Sequence, residues 1–360
     1  MATTAPGGSK ASTKHIAVMG IGAVGGFVSG QLARAGFNVT GIDPWCEHVE
    51  SIKAHGLQLS NLPGSATAPL RAIHIHEVQG LIRTPIDIAI ICTKSFDTEW
   101  AATMLRQYLS PRGYVVSMQN GINEDRVASV VGWGRTVGCI ISTIGVFCDR
   151  PGHVRRIREP GSDSHPVFRV GEVHGRVTER ATELAEILSS ADHSKVTTDL
   201  WGERWSKLTA NTITHGLLGA TGLDNRVIYA ERGTAHRLAI QCAGEAIAVG
   251  RALGFGIGMV YAMDPDVWVQ AASGESAALE HVRSGMEAWF ARHTEHSQSS
   301  VGRDVARGRR SEVAFTNGLV AEKGQEAGIP TPAHAALTSI VARIDRGELR
   351  PHRDNIEGIG

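Results

Sequence analysis

The chain has 360 residues, 42% hydrophobic and 20% charged, which is too long for one ordinary domain and apolar enough to fill two cores. Basic and acidic side chains balance at 36 each, so no global field favours nucleic acid or an anionic membrane. The five cysteines (Cys46, Cys92, Cys139, Cys148 and Cys242) are scattered and lack CxxC spacing. They fit reduced thiols in a cytoplasmic protein, with no metal site and no disulfide framework.

Residues 1–14, MATTAPGGSKASTK, lack an apolar stretch of signal-peptide type and read as a disordered tail. No apolar run reaches the roughly 18 residues of a transmembrane helix. Order is expected from His15. HIAVMG is short and apolar and stops at glycine, as a buried parallel strand does. AVGGFVSGQLARAG has helical periodicity, and FNVTGID is a second strand. The alternation continues through IDIAIICTK, the helical TEWAATMLRQYL, and YVVSMQNG, which argues for a parallel sheet with crossover helices. PGHVRRIREPGSDSHPVFRVGEV suggests a few antiparallel strands at the edge of that domain, followed by the amphipathic helix TERATELAEILSSA. From about Leu200 strand signals nearly vanish, and helices stop at Gly222, Gly254 and Gly328. The expected organisation is an α/β Rossmann-type dinucleotide-binding domain over 15–199 and an all-helical substrate domain over 200–348. A frayed tail is expected over 349–360.

Gly20-Ile21-Gly22-Ala23-Val24-Gly25 follows a strand and opens a helix. The first glycine permits a tight turn, the second lets backbone approach a pyrophosphate, and the third lets the helix pack on the sheet. Asp43 ends the second strand, where a carboxylate hydrogen-bonds the adenosine ribose and repels a 2′-phosphate. It is followed by Pro44 and Trp45 with no arginine, which favours NAD(H) over NADP(H). Asp43 can also be a turn residue before proline.

Several further stretches carry chemistry-bearing residues. TKSFDT holds Lys94, SMQNGIN holds Asn120, and WSKLTANTITHGLLGATG holds Lys207, Asn211 and His215. SSVGRDVARGRRSEVAFTNGLV holds Ser300, Asp304 and Glu312. With GIGAVGG these resemble the ketopantoate reductases (2-dehydropantoate 2-reductases), in order and over about residues 15–345. The resemblance implies a helical second domain of the 6-phosphogluconate-dehydrogenase-like kind and a reductase of a branched 2-oxo acid, with ketopantoate the leading candidate. It implies NADP(H) as the usual family cofactor, against the reading of Asp43. It makes Lys207, in the WxKLxxN motif, the general acid, and places Glu312 beside the substrate and the lysine. Asn211 and Ser300 become substrate-binding and Asp304 structural, while Asn120, beyond the carboxyl end of a sheet strand, is placed to bind substrate and cofactor and Lys94 to reach the cofactor or the substrate. Family members occur as monomers and as dimers through the helical domain, so a homodimer is one expectation.

Each position also has a plainer role. Lys207, Asn211 and His215 lie at i, i+4 and i+8, which can be a solvated helix face. Glu312 can be a first-turn charge on a helix capped by Ser311, and Ser300 can be a capping serine. Asn120 can be a turn residue and Lys94 a surface lysine. Trp201, Trp268 and Trp289 can shape an apolar pocket or simply fill the core. The chain departs from the family at Pro44, where an arginine is common, and at His215 and Ser297, which replace pocket asparagines. Ala314 replaces an aspartate. His215 and Ser297 are expected to line the substrate pocket, so a dehydrogenase of a different hydroxy compound stays open beside ketopantoate reduction. A non-catalytic dinucleotide sensor is the reading from another class, disfavoured by the retained Lys207 and Glu312.

Overall fold

The runs HIAVM and IDIAII bury nearly every side chain, because a parallel strand covered on both faces has no solvent side. The computed structural model describes residues 13–62, 64–230, 233–292 and 298–359. In it these two runs pair in parallel inside an eight-stranded sheet. The described residues form two compact units. The first comprises residues up to Thr93, Asp97–Gln119 and Asn123–Thr198. The second comprises Lys94–Phe96, Asn120–Ile122 and the residues from Asp199 onward.

The first unit runs β1 (His15–Met19), α1 (Ala23–Arg34), β2 (Asn38–Asp43), α2 (Cys46–His55), β3 (Leu57–Leu62), β4 (Gly64–Ala68), β5 (Arg71–His74) and β6 (Ile86–Ile91). It continues with α3 (Thr98–Arg106), β7 (Leu109–Ser117), α4 (Glu124–Val131), β8 (Thr136–Ile141), β9 (Val146–Arg150), β10 (His153–Arg156), β11 (Phe168–Glu172), α5 (Glu179–Ser189) and β12 (Ser194–Thr197). The large sheet has the order β12-β11-β8-β7-β6-β1-β2-β5. From β5 to β8 every pairing is parallel, and the order reverses at β1, which lies between β2 and β6. That is the doubly wound arrangement, whose ligand crevice opens beyond the carboxyl ends of the strands at the reversal.

The Pro/Gly-rich stretch behaves differently from the expectation of edge strands. β9 and β10 do pair antiparallel, but β10 also pairs in parallel with β3, in a separate four-stranded sheet of order β4-β3-β10-β9. Only β11 joins the large sheet, antiparallel to β8. Of the expected N-terminal tail, residues 1–12 lie outside the described residues, and Lys14 forms an ion pair with Glu183.

The second unit contains α6 (Leu200–Thr221), α7 (Asn225–Ala230), α8 (Thr234–Ala252), α9 (Pro265–Ala272), α10 (Ser276–Arg292), α11 (Ser300–Ala306), α12 (Asn317–Ala327) and α13 (Pro332–Asp345). Asp199 caps α6 by accepting the Gly202 N–H, and α6 ends at Gly222 in the left-handed region, as the sequence predicts. Ile213, Leu217 and Leu218 of α6 join Cys242, Trp268, Val282 and Leu337 in the core, so Trp268 is a core residue, and Trp289 packs against it. No helix among the described residues is long and apolar enough to cross a membrane.

The C-terminal stretch does not fray. Residues Arg353–Ile356 form a 3-10 turn, the Asn355 amide donates to Ala220 O at 2.9 Å, and Ile356 is 1% exposed within the helical core. Ile356→Ala should lower the unfolding free energy of this unit by about 2–5 kcal/mol, the usual range for truncating a buried aliphatic side chain. Urea unfolding checks this, and an unshifted midpoint would mean that the tail does not dock.

Candidate active site

The glycine turn between β1 and α1 owes its shape to missing side chains. Gly20 has φ +87°, and a Cβ there would meet Thr93 N at 2.8 Å. A Cβ on Gly25 would lie 2.0 Å from Gly20 O, so α1 approaches the turn more closely than alanine allows. A Cβ on Gly22 would meet nothing within 4 Å, so this glycine faces open space. Gly22 caps α1 without a side-chain bond, and the first turn, beginning Ala23 and Val24, holds no acidic residue. The positive helix end is thus left for an anion, and the turn fits a dinucleotide pyrophosphate.

Asp43 has two backbone partners inside the protein. Its Oδ2 accepts the Ile21 N–H at 2.8 Å and its Oδ1 accepts the Trp45 N–H at 2.9 Å. Burial pushes its pKa up, against the two N–H bonds and nearby His48. Asp43 is therefore a turn residue before proline and a brace on the glycine turn at once.

The second unit gathers the remaining ionisable residues. Lys94 Nζ donates to Asp304, and to Glu312 Oε2 at 3.2 Å. Burial opposes the Lys94 charge, but the two carboxylates outweigh it and hold the pKa above the ordinary lysine value. Glu312 Oε1 accepts the Ser95 N–H at 2.8 Å. The Ser95 hydroxyl lies 2.9 Å from that oxygen and 3.1 Å from Asn120 O, and donates to one at a time. The sequence reading overlooked Ser95, although it stands inside the TKSFDT stretch. Lys94 is thus no free-standing surface lysine, and the Asn120 side chain is exposed.

Two capping expectations are corrected. Glu312 does not open a long helix behind a Ser311 cap. It precedes a 3-10 turn, Val313–Phe315, and α12 starts only at Asn317. The Ser311 hydroxyl accepts the Val313 N–H at 3.4 Å and donates to Asp345 at 2.8 Å, a tertiary partner invisible in the local pattern. In α11 the cap is Ser299, which accepts the Gly302 N–H at 3.0 Å, and Ser300 is the first helical residue.

On α6, Lys207 is half-buried, while Asn211 and His215 are buried, so this is no solvated face. Asn211 Nδ2, His215 Nδ1 and Ser300 Oγ are buried without a hydrogen-bond partner among the described residues. Each such group costs about 1–3 kcal/mol if it stays unpaired, so a cluster of them points to a polar ligand. Burial, reinforced by the charges of Lys207, Arg303 and Lys94, pushes His215 down to about 3, so its ring stays neutral. Arg303, absent from the sequence reading, joins the cations acting on this histidine. Ser297 lies outside the described residues.

The reversed strand order and the glycine turn define a Rossmann-type dinucleotide-binding fold, with a helical second unit. Residues 16–164 match the family described as "Ketopantoate reductase PanE/ApbA", and 199–345 match its C-terminal domain. The chain belongs to the ketopantoate reductase family. The 2-dehydropantoate 2-reductase of Mesorhizobium japonicum is 28% identical, across 92% of this chain and 98% of the relative. That of Archaeoglobus fulgidus is 25% identical, across 93% and 99%. The structure of a PanE/ApbA family ketopantoate reductase from Ralstonia eutropha JMP134 superposes with a TM-score of 0.75 at 26% identity, covering 93% of this chain and 99% of that one. A D-mandelate dehydrogenase with NADH and anilino(oxo)acetate shares the fold, with a TM-score of 0.76 at 21% identity over 93% and 99%. The protein is accordingly an NAD(P)-dependent oxidoreductase acting on CH–OH groups of a small molecule, and the fold alone does not select the substrate.

The depressed pKa of His215 has a consequence for stability. The unfolded chain takes up this proton near 6.5 and the folded chain only near 3. Stability from this group is complete above the upper value and is lost as pH falls below it, by up to about 1.4 kcal/mol per pH unit. His334, which burial pushes down to about 4, acts in the same direction. His215→Asn should therefore flatten the loss of stability between pH 6.5 and 4, measured by urea unfolding at stepped pH. A slope identical to that of the unmodified protein would mean that His215 protonates inside the fold.

Proposed function

We propose that the protein reduces the carbonyl of a branched 2-oxo acid with NADH, and that ketopantoate, reduced to pantoate, is the leading candidate. The observation that carries this reading is the trio of unpaired buried groups, Asn211 Nδ2, His215 Nδ1 and Ser300 Oγ, on and near the helix bearing Lys207. Buried polar groups without partners among the described residues suit a substrate with a carboxylate and further oxygens.

The nicotinamide, when bound, supplies the hydride. Lys207 polarises the carbonyl oxygen and delivers the proton as the alkoxide forms. Asn211, His215 and Ser300 orient the substrate by hydrogen bonds, and the neutral His215 ring does so without adding charge. Ser297 is assigned to substrate binding on the family motif alone. Glu312 anchors Lys94 and Ser95, which keeps the Lys94 ammonium in place for the cofactor or substrate. Asn120 contributes to the same end through its backbone carbonyl near Ser95. On the cofactor side, Gly20 to Gly25 hold the pyrophosphate, and Asp43 disfavours a 2′-phosphate.

Lys207→Ala should lower kcat about 10²-fold or more while leaving the NADH dissociation constant nearly unchanged. Undiminished turnover would remove the lysine from the mechanism. Pro44→Arg, which restores the cation common in the family while retaining Asp43, should improve NADPH affinity with little change for NADH. An unmodified enzyme that already prefers NADPH would refute the reading of Asp43.

One observation favours a second substrate class. His215 replaces a pocket amide, and a ring exchanged for an amide changes both volume and hydrogen-bond geometry. The alternative is an NAD-linked dehydrogenase of a different hydroxy compound. A panel of 2-oxo acids and alcohols with both cofactors separates the two. Oxidation of an alcohol lacking a carboxylate, with no 2-oxo acid reduced, selects the alternative.

A further inference from the structure

His48 is fully buried on α2, the helix that follows the Asp43-Pro44-Trp45 corner. Its ring makes four contacts among the described residues, the longest from Nδ1 to Cys148 Sγ at 3.9 Å. Nδ1 accepts the Gly152 N–H at 3.0 Å, from the turn joining β9 and β10. Nε2 lies 2.9 Å from Ile21 O, inside the glycine turn. The ring stacks on Trp45, with centroids 5.1 Å apart and planes inclined by 10°. Because an N–H donates to Nδ1, that nitrogen carries no proton, so the proton is on Nε2 and is donated to Ile21 O. Burial favours this neutral form.

Ile21 is therefore held from two sides. Asp43 takes its N–H at 2.8 Å and His48 takes its C=O. The Ile21 carbonyl shares a planar peptide with the Gly22 N–H, and in a trans peptide the two point in opposite directions. Fixing the carbonyl toward His48 fixes the Gly22 N–H away from it. Gly22 is the cap residue of α1 and the glycine whose side faces open space.

We propose that His48 is a positioning residue for the cofactor turn: through Ile21 O it aims the Gly22 amide, and with Asp43 it presets the turn onto which a dinucleotide pyrophosphate docks. The inference rests on the reading of that turn as the nicotinamide cofactor site. His48 touches no reacting atom and acts only through the backbone, and the β9–β10 turn is the anchor that holds the ring.

The test uses the full chain and NADH binding followed by fluorescence, apart from turnover. His48→Ala should raise the NADH dissociation constant about tenfold, equivalent to about 1.4 kcal/mol. His48→Gln, whose amide can again donate to Ile21 O, should recover most of that loss. At saturating NADH the KM for the 2-oxo acid should stay unchanged in both. Folded variants that bind NADH as tightly as the unmodified protein, or an Ala variant that only melts earlier, would overturn the proposal. Should the Ala variant fail to fold, imidazole nitrogen NMR on the unmodified protein decides. A proton on Nε2 with Nδ1 bare supports the proposal, and a proton on Nδ1 refutes it. Failure of the unmodified protein to bind NADH would refute the cofactor reading itself, which separates the two outcomes.

Discussion

The tightest constraint in the nucleotide-binding unit is the approach of α1 to the turn before it. A methyl group at position 25 would sit 2.0 Å from Gly20 O, inside any van der Waals contact. A side chain there would push the helix away from the sheet and move its amide groups with it. The same economy of space recurs on β2, where a Cβ on Gly41 would lie 2.8 Å from the Ile21 side chain. Ile21 is thus fixed three times over: its side chain fills the gap left by Gly41, its N–H meets Asp43, and its C=O meets His48. An anion site made of backbone groups has no side chain to adjust, so its geometry must come from such packing.

In the helical unit, the polar accounting separates scaffold from site. Two buried histidines with depressed pKa values make the contrast plain. His334 is satisfied, with Nε2 3.0 Å from Cys242 O, Nδ1 3.2 Å from Asn317 Nδ2 and its backbone N–H on Glu245. It ties α8, α12 and α13 together and leaves nothing for a ligand. His215 is equally buried, yet its Nδ1 has no partner among the described residues, and Asn211 and Ser300 share that condition. The buried carboxylates of Asp304 and Glu312 are paired, because an uncompensated buried charge costs far more than an unmet amide. Lys94 thus balances Asp304 and Glu312, while Asn211, His215 and Ser300 each keep a buried polar atom unsatisfied among the described residues.

Much of this was legible in the sequence because it is local. The alternation of β-branched runs with amphipathic helices predicts the parallel sheet, and the glycine spacing predicts the turn. The i, i+4, i+8 spacing places Lys207, Asn211 and His215 on one face. Tertiary contacts hid the rest. The short strands β3, β4 and β5 carry little period, and β3 pairs with β10 from the far end of the unit. Ser311 before Glu312 looks like the cap of a helix, and nothing local shows that its hydroxyl also donates to Asp345. The last residues look frayed because the pattern of IEGIG says nothing of the core that receives Ile356. A lone histidine in CEHVESIKAH has no spacing to announce it, and only its contacts with Ile21 and Gly152 give it a role.

Asp43 shows how one residue can serve two demands without conflict. A carboxylate offers about four acceptor directions, and the N–H groups of Ile21 and Trp45 take two of them, one on each oxygen. The remaining lone pairs stay open to the ribose hydroxyls of the proposed cofactor. The two duties are nonetheless coupled, since removing the carboxylate to admit NADPH would release the Ile21 N–H and loosen the turn that holds either cofactor. Position 44 carries no such load, because Pro44 is exposed and donates no hydrogen bond. If Asp43 discriminates between the two nicotinamide cofactors as proposed, selectivity is more freely altered at residue 44 than at residue 43, whose two oxygen atoms also hold the turn.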